Sequence, residues 1–413
     1  MKGIGMLIGY LFAFSVARLL GADAWGNFSL ALSLITFGAI LSVTGFDTLL
    51  MKLFSSQNKN QDLSIVYKRA AVIVISLAIL FTAIVYLAAG TIADGLFNNP
   101  GLTPSFRIAA FAIFPFAVMS MNAGVLQGIK EIRSFVFIRF ISHHLGALVL
   151  FLALLPFWGS NQVVVIAYTV SLYLIAGLTI ILLYRKGYRF FSIQQEVYQP
   201  QKIRSLLRQS LPFLFIASLF FIKGWIDTIM VGIFMTESDV GIYNIALKLS
   251  GVLLIMVSAV NAIAAPKFSE SFSDNKMAEL KGSLRYSSAI LFYTTLPLFL
   301  LLMLFPEQIL SVFGEEFRAG RLSLVILSIG SFISAICGTT SYFLQMTGNQ
   351  VAMQNITFVT VILGVILNLV LIPPFGIQGA AIATAAAMLF WNAVGVLFVR
   401  RKYNCKTYFS FFK

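Results

Sequence analysis

Three charges stand inside otherwise apolar sequence between Leu211 and Ser271: Lys223, Asp227 and Lys248. A charge at the centre of a membrane helix costs roughly 2.5–3.5 kcal/mol on insertion scales, so such residues are functional-site candidates. Lys223 and Asp227 are four apart and share a helix face, where they can pair. At 1.5 Å per residue Lys223 is about 18 Å from the start of its apolar run. By the same rise Lys248 is about 14 Å from the start of the next run, so both are near mid-depth. Ammonium groups there can accompany an anion that binds and then leaves. The alternative is a Lys–Asp pair that only ties helices together. Asp47, Arg18 and Arg139 are the other charges in or beside apolar runs.

The composition decides which elements carry these residues. The chain is 59% hydrophobic and 11% charged, with mean hydropathy +0.92. Soluble domains are about a quarter charged, so this is an all-α polytopic membrane protein. The net charge of +14 calls for no nucleic acid, because Lys and Arg collect in cytoplasmic loops of membrane proteins. Cys337 and Cys405 are isolated thiols that make no metal or disulfide framework, and no cofactor is expected. His143 and His144 are adjacent, so their positions point about 100° apart and do not serve one metal from one face. A single inward histidine remains a proton-relay candidate. The first residues imitate a secretory signal, with Lys2, an apolar run and Ala22-Asp23-Ala24. The run is long and Arg18 interrupts its end, so it reads as a first span.

A span needs about 20 mainly apolar residues. Twelve are expected: 3–20, 25–48, 70–90, 104–126, 134–156, 162–183, 211–234, 240–264, 286–305, 321–345, 351–373 and 377–399. Pro115 and Pro297 are expected to kink the fourth and ninth. With a cytoplasmic N-terminus, 23 of the 29 Lys and Arg fall inside and four outside (Arg18, Arg107, Arg318, Arg321), with Lys223 and Lys248 in spans. That bias sets both termini cytoplasmic. The organisation is a bundle at 1–183, a basic linker at 184–210, a second bundle at 211–399 and a cytoplasmic tail at 400–413.

The halves repeat. Residues 24–54 align without gaps to 239–269, pairing Gly26 with Gly241, Ala31 with Ala246 and Lys52 with Lys267. Later, Leu126-Gln127 pairs with Leu344-Gln345 and Pro156-Phe157 with Pro374-Phe375. Six spans per half give both halves one orientation, related by an axis along the membrane normal, around a central cavity. This is transporter architecture.

Arg18-Leu19-Leu20-Gly21 followed by Trp25-Gly26-Asn27-Phe28-Ser29-Leu30-Ala31 resembles the opening of the polysaccharide-biosynthesis flippases. These are the O-antigen and capsule repeat-unit transporters of the multidrug/oligosaccharidyl-lipid/polysaccharide, MATE-like superfamily. Asp239-Val240-Gly241-Ile242-Tyr243-Asn244-Ile245-Ala246 with Pro266 is similar to that family's eighth span. The likeness covers essentially the whole chain in span order. It implies flipping of an undecaprenyl-diphosphate-linked oligosaccharide to the outer leaflet of a bacterial inner membrane. The partners it implies are that glycan lipid, membrane lipid and a glycan polymerase, with the chain acting as a monomer. Compared with the seventh span, about five residues are missing from the start of the first.

On that reading Lys223 and Lys248 neutralise the diphosphate, since a bare anion in low dielectric needs cationic partners. Arg18 receives it at the outer mouth or snorkels to the interface. Arg139 guides entry or anchors the inner end of its span. Asp227 and Asp47 are the ion-coupling candidates, and Asp47 has Lys52 as an alternative partner. Asn122, Gln127, Asn261, Gln345 and Asn368 hydrogen-bond sugar hydroxyls or bridge helices. The competing function is a cation-coupled multidrug exporter of the same superfamily. Such exporters tend to carry an acid in the first span, and residues 3–20 contain none. An enzyme acting on the same lipid would need paired acids or a metal site. The outer loops offer only Asp94, Glu307, Glu315 and Glu316, so no enzyme is expected.

Overall fold

The computed structural model describes residues 2–56, 63–157, 159–187, 203–274, 276–405 and 407–409. The middle of the expected linker, 188–202, lies outside them, as do Lys59, Arg189, Lys202, Lys406 and Lys413. The described residues form helices and turns with no strand. The helices are α1 (Lys2–Val43), α2 (Phe46–Ser55), α3 (Leu63–Gly95), α4 (Thr103–Gly128), α5 (Ile132–Leu154) and α6 (Gln162–Arg185). After the linker come α7 (Ile203–Phe234), α8 (Glu237–Ser273), α9 (Met277–Leu304), α10 (Arg321–Ile336), α11 (Thr339–Met346) and α12 (Gln350–Tyr403).

Among the described residues ten tracts are long and apolar enough to cross a membrane, and two of these are double. With 42 and 54 residues, α1 and α12 each have about twice the length one crossing needs. Each is broken once, at Gly21 (φ 86°, ψ −177°) and at Gly376 (φ 56°, ψ −137°). A side chain at such positive φ is strained, which is why glycine occupies both folding-back points. Twelve spans result among the described residues. Pro115 and Pro297 sit inside α4 and α9, whose helical runs continue through them. The second span breaks instead at Thr44–Gly45, where both residues have positive φ, and resumes as α2.

The repeat is visible in the helix ends. Adding 218 to Thr103 and Gly128 gives Arg321 and Met346, the outer limits of the α10–α11 pair. The same shift carries the start of α5 to the start of α12, and the end of α6 to its end. The chain packs as two compact units, Met1–Trp225 and Ile226–Lys413, so α7 contributes to both.

In the first unit α4 is the central helix. It presents small side chains, among them Ala109, Ala110, Ala117 and Ala123, and is mostly buried. Gly124 and Gly128, four apart, receive α2: a Cβ on Gly124 would collide with the Asp47 carbonyl, and one on Gly128 would meet Phe54 at 2.7 Å. Without a hydrophobic drive between helices in lipid, such close backbone approach is a main source of packing energy.

In the second unit the acidic turn expected from the sequence caps α8. The Thr236 hydroxyl accepts from the Asp239 N–H, while the Asp239 carboxylate accepts from the Thr236 N–H. This capping box satisfies helix-end donors, and the acids suit the positive end of the helix dipole. Residues 404, 405 and 407–409, after α12, fold back into this unit. Asn404 turns the chain at φ 51°, and Cys405 and Thr407 are buried. Thr339 and Ser288 donate to the Thr407 carbonyl at 3.1 and 3.3 Å, and the Thr340 and Thr407 hydroxyls are 2.7 Å apart. The Phe409 ring stacks on Phe292 with centroids 4.4 Å apart.

Gly124→Ala is expected to destabilise the protein by ~1–3 kcal/mol, the usual cost of overpacking. Gly9→Ala should be tolerated, because its Cβ would meet the His144 ring at an ordinary 3.5 Å. Thermal unfolding in detergent compares the two. In a Cys337→Ala background, the rate at which a maleimide labels Cys405 reports release of the folded-back segment. Thr407→Val with Phe409→Ala should raise that rate about thirtyfold, given ~1 kcal/mol for a hydrogen bond and ~1 kcal/mol for a stacked ring.

Candidate functional site

A hairpin turn sets residues equally far from it at matching depth. Asp227 lies eight residues before Met235, in the turn between α7 and α8, and Tyr243 eight after it. Asn368 and Thr384 lie eight residues before and after Gly376. Two hairpins, α7–α8 and the two arms of α12, therefore bring four polar side chains to one level of the second unit.

They meet there. Asn368 Nδ2 donates to Asp227 Oδ1 at 2.6 Å, and the Thr384 hydroxyl donates to Asp227 Oδ2 at 2.7 Å. The Tyr243 hydroxyl is 2.9 Å from Thr384 Oγ1. Thr384 has one proton and gives it to Asp227, so Tyr243 must donate to Thr384. The proton chain runs Tyr243 to Thr384 to Asp227. All four residues are buried, with Tyr243 and Asn368 fully inaccessible. Asn368 Nδ2 also bonds the Gly364 carbonyl, whereas its Oδ1 is buried with no partner. Asn244 Nδ2 reaches Thr228 Oγ1 at 3.4 Å, a second polar tie between α7 and α8.

A carboxylate in apolar surroundings is costly unless it is compensated. Asp227 receives two hydrogen bonds, but no ion pair among the described residues involves it. Its carboxylate is directed to Asn368 and Thr384 of α12. A carboxylate beside an unpartnered amide oxygen can hold a proton or a small cation. No group of three His, Cys, Asp or Glu is assembled among the described residues.

The equivalent level of the first unit has no charge. The repeat that equates Ala24 with Asp239 places Phe12 and Phe28 where Asp227 and Tyr243 stand. Their rings meet edge to face at 5.4 Å, and Phe28 packs on Tyr168 at 5.3 Å.

The other expected residues are dispersed. Lys223 is exposed on the part of α7 that belongs to the first unit, four residues before Asp227, and Lys248 is half-buried on α8. Arg18 is exposed three residues before Gly21. Asp47 lies in the first turn of α2 and accepts from the Thr48 N–H at 2.8 Å. No ion pair joins it to Lys52 among the described residues. Arg139 sits in a π-helical turn, Phe137–Ser142, and donates to the Ser120 hydroxyl at 3.2 Å.

Of the amides, Asn122 bridges helices. It accepts from the Tyr67 hydroxyl at 3.0 Å and donates to Thr179 at 2.9 Å, tying α3, α4 and α6 together. Asn261 bonds the Gly338 carbonyl at the break between α10 and α11. The His143 and His144 rings touch, with centroids 4.1 Å apart, so the angle between adjacent positions does not separate them. Tyr243 and Thr384 were not singled out from sequence. Their equal spacing from the two turns is the signal that finds them, once Gly376 is known to be a turn.

The profile of the MatE family matches residues 212–370. Over 163 residues the chain is 30% identical to the probable low-salt glycan biosynthesis flippase Agl15 of Haloferax volcanii, covering 39% of this chain and 34% of that one. It is 26% identical over 177 residues to the probable flippase AglR of the same organism, covering 42% and 37%. The chain thus spans about a third of the length of these relatives. An uncharacterized membrane protein of Methanocaldococcus jannaschii, MJ1375, is 24% identical over 405 residues, 95% of this chain and 94% of that one. Among solved structures, an inward-facing multidrug resistance MATE family transporter of the MOP superfamily superposes with TM-score 0.76 at 15% identity, covering 97% and 94%. The lipid II flippase MurJ, inward closed, superposes with TM-score 0.75 at 14% identity, covering 96% and 86%. At such identities the superpositions show a shared all-helical membrane fold. The profile described as polysaccharide biosynthesis protein matches residues 1–272, well over half of the sequence, and the chain belongs to that family.

Proposed function

We propose that the protein moves an undecaprenyl-diphosphate-linked oligosaccharide from the cytoplasmic to the outer leaflet of a bacterial inner membrane by alternating access, with both termini cytoplasmic. Family membership and the flippase names of the two Haloferax relatives support the cargo class. The positive-inside distribution supports the orientation. Lys223 and Lys248 are the cationic contacts for the diphosphate, and Arg18 is its contact at the outer end.

The observation that carries the transport mechanism is the buried Asp227 carboxylate, hydrogen-bonded but without an ion pair, beside the unpartnered Asn368 Oδ1. A proton or monovalent cation taken up there neutralises Asp227, and its release restores the charge. The site is thereby a two-state element whose equilibrium an ion gradient can bias. Asp47, held at a helix start by Thr48, is assigned the structural role of favouring that helix end. An inside-negative potential adds a second drive. A diphosphate of roughly −2 moving outward gains about 4–5 kcal/mol at ~100 mV. The second reading, a cation-coupled multidrug exporter, is favoured by the MatE profile over residues 212–370.

Lys223→Ala and Lys248→Ala are each expected to lower surface-glycan assembly at least tenfold while protein level and insertion hold. If both assemble glycan at the normal rate, the lysines have no part in cargo binding. In reconstituted vesicles with potential, pH and sodium gradients set independently, Asp227→Asn should abolish the response to one ion gradient and spare the response to potential. Flipping by Asp227→Asn that follows every gradient like the parent removes the coupling role. Export of cationic drugs without lipid flipping would select the second reading.

A further inference from the structure

Arg139 holds a position that the packing of the first unit leaves underused. It is seven residues into α5, about 10 Å from the helix start at 1.5 Å per residue. Ser120, its partner, is eight residues from the end of α4, about 12 Å by the same rise. The two helices agree on the depth, which is well inside the span. A guanidinium has five N–H donors and no acceptor. Among the described residues Arg139 spends one, on the Ser120 hydroxyl at 3.2 Å, and it has no ion pair. One neutral hydrogen bond does not compensate a charge at that depth.

The backbone around it is built to hold this arrangement. The π-helical turn Phe137–Ser142 inserts a residue into the helix and re-aims the side chains on it, a device frequent at functional sites. The α1 backbone presses on this turn at Gly5, where a Cβ would collide with the Phe140 carbonyl. One residue past the turn, the His143 side chain is 8% exposed. The repeat offers an internal comparison. The shift of 218 equates Arg139 with Thr357, in a stretch of α12 that is regular helix. There Thr357 simply bonds the Met353 carbonyl and accepts from the Trp391 indole. Cation and π-turn occur together in the first unit and are both missing at the matching place in the second.

We infer that the Arg139 π-turn, with Ser120 and His143, is a seat for a phosphate carried on a lipid. The planar fork of arginine matches two phosphate oxygens at once, and Ser120 fixes one end of the fork. The phosphate belongs either to the glycan-linked polyprenyl cargo or to a phospholipid of the bilayer. Where it belongs to the cargo, the inference rests on the proposed flipping and gives the cargo a contact in the first unit.

Lipid retention by the purified full chain, counted by native mass spectrometry, tests this without requiring transport. The probes are undecaprenyl diphosphate, phosphatidylglycerol and, lacking phosphate, diacylglycerol. Arg139→Gln is expected to reduce retention of a phosphate lipid at least tenfold and Arg139→Lys by less, with diacylglycerol unchanged and the melting temperature of Arg139→Lys unaltered. Loss of undecaprenyl diphosphate assigns the seat to cargo, and loss of phosphatidylglycerol alone assigns it to the bilayer. Equal retention of both phosphate lipids by the parent and Arg139→Gln overturns the seat, as does an equal drop in diacylglycerol. Because nothing is transported, failure here leaves the flipping measurements standing, and failed flipping leaves this one standing.

Discussion

Everything polar in the spans must find its partner inside the protein, because lipid supplies none. Asp227 meets that constraint most directly. Its carboxylate is satisfied by side chains of α12 that lie 141 and 157 residues further along the chain. Satisfying them requires the α7–α8 turn, the Gly376 fold-back and the register of both hairpins to be correct together. A shift of one helical position in either hairpin would leave a buried charge with no donor. The geometry of the second unit therefore hangs on one acid.

The two halves share helix ends but differ in their polar content. The aromatic nucleus of Phe12, Phe28 and Tyr168 fills the level at which the second unit keeps its carboxylate. The first unit instead keeps a cation, Arg139, where the second has a threonine bonded to its own helix. Duplication supplied one scaffold twice. The matched positions then differ, with Asp227 against Phe12 and Arg139 against Thr357.

Much of this was legible from the residues. Span count follows from apolar length, and the repeat shift recovered from a few glycines and prolines also reproduces helix ends at Arg321, Gln350 and Tyr403. Asp227 and Asn368 stood out because polar groups inside spans are costly. Their partnership did not, since the pairing of Lys223 with Asp227 at four residues is a local pattern and the true donors are remote. Tyr243 and Thr384 look like ordinary span residues until the turns are placed. The π-turn at Arg139 has no signature in composition or periodicity. The Gly124–Gly128 contact was not singled out from sequence, and its partner α2 depends on a break at Thr44–Gly45 that hydropathy does not register.

The burial of Thr407 has a consequence for biosynthesis. Its carbonyl accepts from Ser288, made 119 residues earlier. At ~5–20 residues per second, a chain growing on the ribosome needs roughly 6–24 s to cover that separation. During that interval Ser288, joined later by Thr339 and Thr340, lies in a half-made bundle without the carbonyl and hydroxyl these residues finally bond. Water or the insertion machinery has to shelter three hydroxyls until the strand that closes them arrives. The second unit is thus sealed from its late end, and a ribosome stalled shortly before Cys405 would hold a bundle whose helices are all made but whose seam is still open.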